Sequence, residues 1–198
     1  MKTYRMIAAV LCGCLMLTGC GGAKEPASQT TAPSAERLKV EECYGFHEND
    51  DGTYAYVVRD RSGITLFADY DSIRPVEFAV ANEDVLVVHG QAGVGVGARW
   101  AVFCDVEHSR VSECFAGYLG STKNRVAFVE QRTDAYHVFV CDPYNSAVYT
   151  SVTTLEGLVM DTDILKDFAM GEDGMLSVTY GTADGDKTVQ IDLNAEED

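Results

Sequence analysis

Four short segments of this chain share one form, a strand-forming run closed by aspartate. They are Thr65-Leu66-Phe67-Ala68-Asp69, Ala101-Val102-Phe103-Cys104-Asp105, Val138-Phe139-Val140-Cys141-Asp142 and Thr188-Val189-Gln190-Ile191-Asp192. Their aspartates lie 36, 37 and 50 positions apart, a period that marks a repeated supersecondary unit. Val, Phe and Thr suit a pleated, half-buried surface. Asp suits the strand end because its carboxylate accepts nearby backbone N–H groups and opens a turn. These features direct the chain to an antiparallel all-β fold.

An earlier strand precedes each segment, at 53–59, 85–89, 125–131 and 175–180, and three repeats have a later one, at 75–80, 110–116 and 147–152. The fourth repeat runs out of chain after Asp192. Lys39-Val40-Glu41-Glu42-Cys43-Tyr44 matches Arg110-Val111-Ser112-Glu113-Cys114-Phe115, so an N-terminal strand is expected to complete the last repeat. Closure of that kind resembles the β-propellers, whose shared final blade protects strand edges. The resemblance implies a ring of repeats of about 36–50 residues, although only three strands per repeat are legible. The alternative is an open meander folded as a β-sandwich or irregular barrel. The long last interval carries its excess at 154–173, where Leu155, Leu158, Val159 and Leu165 allow one short helix or an irregular loop outside the core.

The first twenty residues have a different character. Lys2 and Arg5 precede an apolar run from Met6 to Leu17, which ends in Leu17-Thr18-Gly19-Cys20. This is the layout of a secretory signal, too short to persist as a membrane-spanning helix. The tetrapeptide resembles the lipobox of bacterial lipoproteins. The resemblance implies acylation of the Cys20 thiol, cleavage before it, and residence on the extracytoplasmic face of the cell membrane or outer membrane. Two or three acyl chains hold a protein stably where one is marginal. The expected organisation is a removed signal at 1–19, a lipidated Cys and flexible linker at 20–37, and a single β domain at 38–198. The linker, rich in Ala, Ser, Thr, Pro and Gln, spans roughly 20 Å as a random coil.

Without residues 1–19 the chain carries 13 basic and 31 acidic side chains, a formal charge of −18. Such a surface repels nucleic acid and anionic headgroups, so membrane contact is left to the lipid on Cys20. Cys43, Cys104, Cys114 and Cys141 lack CxxC spacing, which excludes the common zinc and redox motifs. Cys104 and Cys141 occupy the slot that Ala68 and Ile191 fill elsewhere, as small core hydrophobes do, and Cys43 and Cys114 share a second slot. Export permits disulfides among them without requiring any.

Candidate chemistry is sparse. Gly90, Gly93, Gly95 and Gly97 follow a strand, but Arg99-Trp100-Ala101-Val102-Phe103 continues as another strand, not as the helix a phosphate loop needs. His47, His89, His108 and His137 fall in separate repeats without HExxH spacing, and there is no GxSxG. Asp161, Asp163 and Asp167 crowd the long insertion. Oxygen-rich loops can bind Ca2+, but the twelve-residue calcium-loop pattern is absent, and solvated loop is the simpler reading; no cofactor is expected. The leading expectation is a membrane-anchored binding or scaffolding module without catalysis, meeting a protein or glycan partner through its loops. Its alternatives are a glycan-active hydrolase or lyase using the Asp161, Asp163 and Asp167 carboxylates, and a structural envelope lipoprotein.

Overall fold

The computed structural model describes residues 38–160 and 163–195. Cys20, the signal, the linker and Asp161 lie outside them. The described chain is all-β, with antiparallel sheets, none closed into a barrel, and no α-helix. Sheet I holds β1 (Tyr44–Glu48), β2 (Tyr54–Arg59) and β3 (Thr65–Ser72). Sheet II holds β4 (Val76–Asn82), β5 (Val85–Gln91), β6 (Arg99–Asp105) and β7 (Arg110–Val111), with β8 (Phe115–Ala116) also paired to β6. Sheet III holds β9 (Tyr118–Ser121), β10 (Val126–Arg132), β11 (Ala135–Asp142) and β12 (Asn145–Thr154). Sheet IV holds β13 (Asp167–Met170), β14 (Met175–Thr182) and β15 (Gly185–Asp192).

The strand-end aspartates do what their chemistry suggests. Oδ1 of Asp69, Asp142 and Asp192 accepts the N–H two residues on, at 3.1, 2.7 and 2.8 Å. Asp105 accepts the His108 N–H at 2.8 Å. Each repeat therefore turns on a local carboxylate.

Successive sheets pack face to face, as in a β-sandwich repeated three times. Tyr56 and Val58 of sheet I meet Leu86, Val88, Val102 and Cys104 of sheet II. The opposite face of sheet II, with Val87 and Phe103, meets Phe128, Phe139 and Cys141 of sheet III. Ala127, Val129, Val138 and Val140, on the other side of sheet III, meet Leu176, Val178, Tyr180 and Ile191 of sheet IV. The two middle sheets are thus buried on both faces, which accounts for the unbroken apolar runs at 85–88, 101–104, 126–129 and 138–141. Full burial of each valine, leucine or phenylalanine in these runs stabilises by roughly 1.5–3 kcal/mol.

Two expectations about the ends are corrected. The N-terminal strand does not complete the last repeat: β1 pairs with β2, from Tyr44↔Val58 to Glu48↔Tyr54, and β15 has β14 as its ladder partner. Residues 40–42 form a 3-10 turn in place of a strand, closed where the Lys39 N–H donates to Glu42 Oε2 at 2.9 Å. That turn sends Val40 and Cys43 into the core between sheets I and II. No buried cluster among the described residues joins sheet IV to sheet I. Sheet IV instead turns a hydroxyl- and amide-bearing face outward, with Thr179 bonded to Thr188 at 2.9 Å and Gln190 donating to Ser177 at 3.1 Å. The strand at 75–80 likewise opens sheet II as β4 and does not finish sheet I.

The third correction concerns the insertion. Its described residues form no helix, and it is not separable from the core. Leu155 and Leu165 are 2% and 5% exposed inside the sheet III–IV cluster, and the segment ends in β13. Val159 alone of the four apolar residues stays exposed.

Sheets I and II are also tied by polar groups. Asp60, 3% exposed, accepts the Ser62 N–H and hydroxyl (2.9 and 2.6 Å), the Ile64 N–H (2.9 Å) and, from the β6–β7 turn, the Ser109 hydroxyl (2.7 Å). Beside it Arg61 donates to the Leu38 and Glu83 carbonyls and to Asp84, at 2.9, 2.6 and 2.9 Å. Gly117 carries the chain from sheet II to sheet III: its N–H donates to the Arg99 carbonyl and its own carbonyl accepts the Val129 N–H. Its φ of +72° and a Val129 carbonyl oxygen 2.2 Å from where a Cβ would sit leave no room for a side chain.

Candidate functional site

Where sheet III lies between its neighbours, β4, β5, β6, β9 and β13 frame a groove of about 430 Å³. That volume is within the range of small-molecule sites, roughly 300–1,000 Å³. Its position follows from the Gly117 crossover, which delivers β9 against both sheet II and β13. Tyr118 enters from β9 with its hydroxyl 3.0 Å from that of Ser121. His89 of β5 faces it, ring centres 5.9 Å apart. Arg99, first residue of β6, holds its guanidinium 4.8 Å above the Phe168 ring of β13. Lys123 stands exposed at the groove's end, in a turn closed by the Thr122 N–H and the Arg125 carbonyl at 2.9 Å.

The electrostatics of this groove depart from those of the chain. Arg99, Lys123 and His89 line it, and no carboxylate does. Neither Arg99 nor Lys123 has an ion-pair partner among the described residues. Glu77, opposite His89 on β4, comes within 3.8 Å of its Nε2. Burial nevertheless pushes the His89 pKa down, with Arg99 acting in the same direction and Glu77 against it. Burial raises the Tyr118 phenol, so it stays a neutral donor. The remaining wall is apolar, formed by Ala79, Val80, Val87, Leu119 and Met170.

A second cavity, about 380 Å³, lies at the rim between the turns of sheets II and III. Here charge is internally matched. Asp105, 3% exposed, accepts from Arg110 Nη2 at 2.7 Å and lies 3.0 Å from His108 Nδ1. Burial raises its pKa, but Arg110 and His108 outweigh that and hold it low. Arg110 stacks 4.6 Å over the Tyr144 ring, whose buried hydroxyl has no hydrogen-bond partner among the described residues. Lys123 borders this cavity as well as the groove, and Arg125 lines the rim beside it.

The acidic candidates are dispersed in role. Asp163 accepts the Val96 N–H at 2.9 Å and the Ile164 N–H at 2.7 Å. It thereby joins the insertion to the Gly-rich connection, where Gly95 has φ +83° and the carboxyl lies 2.9 Å from its missing Cβ. The two segments that depart most from the repeat are thus one structural unit. Asp167 stands at the start of β13, paired with Thr179. Asp161, the third member, is outside the described residues. Among the described residues no three His, Cys, Asp or Glu side chains converge on a metal position. The Gly-rich stretch connects β5 to β6 through a 3-10 turn, Val96–Ala98, as the following strand foretold.

All four described cysteines are free thiols. Cys43, Cys104 and Cys141 are buried, and burial pushes Cys104 up to about 12 and Cys141 up to about 11, far from a reactive thiolate. Cys114 is exposed, so the slot it shares with Cys43 in sequence is not shared in space. Cys104 stands opposite Val111 and not opposite Cys114.

The groove itself escaped the sequence reading. His89, Arg99, Tyr118 and Lys123 come from four elements and form no motif. The available signal was scarcity: few basic residues in an acidic chain, two of them at strand and turn boundaries. Comparison with protein-family models, curated proteins and solved structures returns no match. Among the described residues no helix is long and apolar enough to cross a membrane.

Proposed function

We propose that this chain is a lipid-anchored, extracytoplasmic binding module that acts without catalysis. Its lipid is carried by Cys20 and its ligand or partner is met at the groove of sheets II, III and IV. One observation carries the binding half: in a chain with 31 acidic residues, a groove of about 430 Å³ is lined by Arg99, Lys123 and His89 and by no carboxylate. Cations gathered in one groove repel one another, and an anionic or strongly polar ligand relieves that repulsion. The lipobox carries the anchoring half. In this reading the four sheets are propeller-like blades in an open array, with the outward hydroxyl face of sheet IV left to water. A carboxylate-based hydrolysis has less support, because the Asp163 carboxylate is taken up by two backbone N–H groups.

Two measurements on intact cells test the two halves. Cys20→Ala should move the chain from the membrane pellet to the soluble fraction; retention in the pellet would remove the lipid anchor. A photo-crosslinking residue at Thr122, beside the groove, should capture products that the same residue at Thr188, on the outer face of sheet IV, does not. Identical products from both positions would remove the binding site from the groove.

A further inference from the structure

We infer that the groove takes a small hydroxylated organic anion, a sugar acid or a sugar phosphate. This deepens the binding reading above and rests on it. Arg99 provides the principal contact. A guanidinium is a planar fork that matches carboxylate or phosphate in two parallel hydrogen bonds. In most proteins such a fork finds a carboxylate of its own; among the described residues Arg99 has none, and its guanidinium lies over the face of Phe168. A cation–π seat of this kind orients the fork while leaving its N–H donors unspent. Lys123 supplies a second, mobile charge from the turn at the groove's end.

Between these cations the lining changes character in a way that fits a sugar and not a bare ion. Ser121 and Thr122 offer hydroxyls, and the Tyr118 phenol, shared with Ser121 at 3.0 Å, offers another. The rest of the groove's wall is apolar, from Ala79, Val80 and Met170 among others, and the C–H face of a pyranose can lie against it. Inorganic phosphate alone would leave that wall wet. A long apolar anion would exceed it.

The test is titration calorimetry of the full chain in detergent with glucuronate, glucose 6-phosphate and neutral glucose, together with Arg99→Gln, Lys123→Gln and, as a control on sheet IV, Lys187→Gln. One or both anions should bind and glucose should not. Arg99→Gln should weaken binding about tenfold or more, as loss of a charge-assisted pair does. Lys123→Gln, in an exposed turn where folding is not at stake, should weaken it about threefold, and Lys187→Gln should leave it unchanged. Which anion binds decides between carboxylate and phosphate. Glucose binding as tightly as glucuronate would overturn the anion and leave the binding module standing. Absence of anion binding, or binding indifferent to both Arg99→Gln and Lys123→Gln, would overturn the inference, while the Thr122 cross-link reports separately on the reading beneath it.

Discussion

Asp60 shows how much a single side chain holds in this fold. It accepts four hydrogen bonds, one of them from Ser109 in the next sheet. The Ser62 and Ser109 hydroxyls, with the backbone donors, bring its pKa down to about 2. A carboxyl whose folded pKa is depressed contributes stability above its unfolded value, about 3.9, and loses it as pH falls toward the folded one. The expected consequence is a stability difference between the wild type and Asp60→Asn that is constant from pH 7 to pH 5 and narrows between about pH 4 and pH 2. Urea midpoints across that range measure it; a gap independent of pH would show that the ionised form of Asp60 contributes nothing. The strand-end aspartates were legible for the same chemical reason, since an Asx turn is a local event. Asp60 was not, because its decisive partner, Ser109, is 49 residues away.

At the scale of elements, the insertion has the largest consequence. A loose 3.6-residue spacing of Leu155, Leu158, Val159 and Leu165 suggested a detachable helix or loop. In the fold, Leu155 and Leu165 belong to the sheet III–IV core, Leu158 forms a bridge to Thr182, and the segment's end supplies β13. Leu165→Ala should therefore cost about 2–5 kcal/mol, as removal of a fully buried leucine does. Thermal or urea unfolding measures the cost, and a change below about 0.5 kcal/mol, the size of a surface substitution, would return the insertion to the status of an appended loop. The similarity between 39–44 and 110–115 misled for a related reason. The first forms a capped 3-10 turn; the second pairs with β6, Arg110 and Val111 with Asp105 and Cys104, the Ser112 N–H with the Phe103 carbonyl, and Phe115 with Ala101. Sequence likeness marked neither a shared conformation nor a shared partner, because both are chosen by distant chain, and a short window does not contain that choice.

For the whole molecule, the openness of the array was written in the chain more plainly than its repeat. Val85-Leu86-Val87-Val88 and Val126-Ala127-Phe128-Val129 are apolar at every position, as strands buried on both faces must be. Leu176-Ser177-Val178-Thr179-Tyr180 alternates strictly, and its Ser and Thr form the outer face that a closed ring would have to bury. The groove was not legible at all, because its side chains converge only once three sheets are assembled. It is nevertheless a place where an acidic chain lines a groove with basic side chains and no carboxylate, and the proposed function depends on it being filled. Methionine-methyl NMR of the full chain tests that most directly, with Met170 inside the groove and Met175 on the neighbouring strand as an internal reference. Titration with glucuronate or glucose 6-phosphate should shift the Met170 methyl resonance saturably and leave Met175 in place. A Met170 signal that stays still through the titration, or moves only in step with Met175, would contradict occupation of the groove.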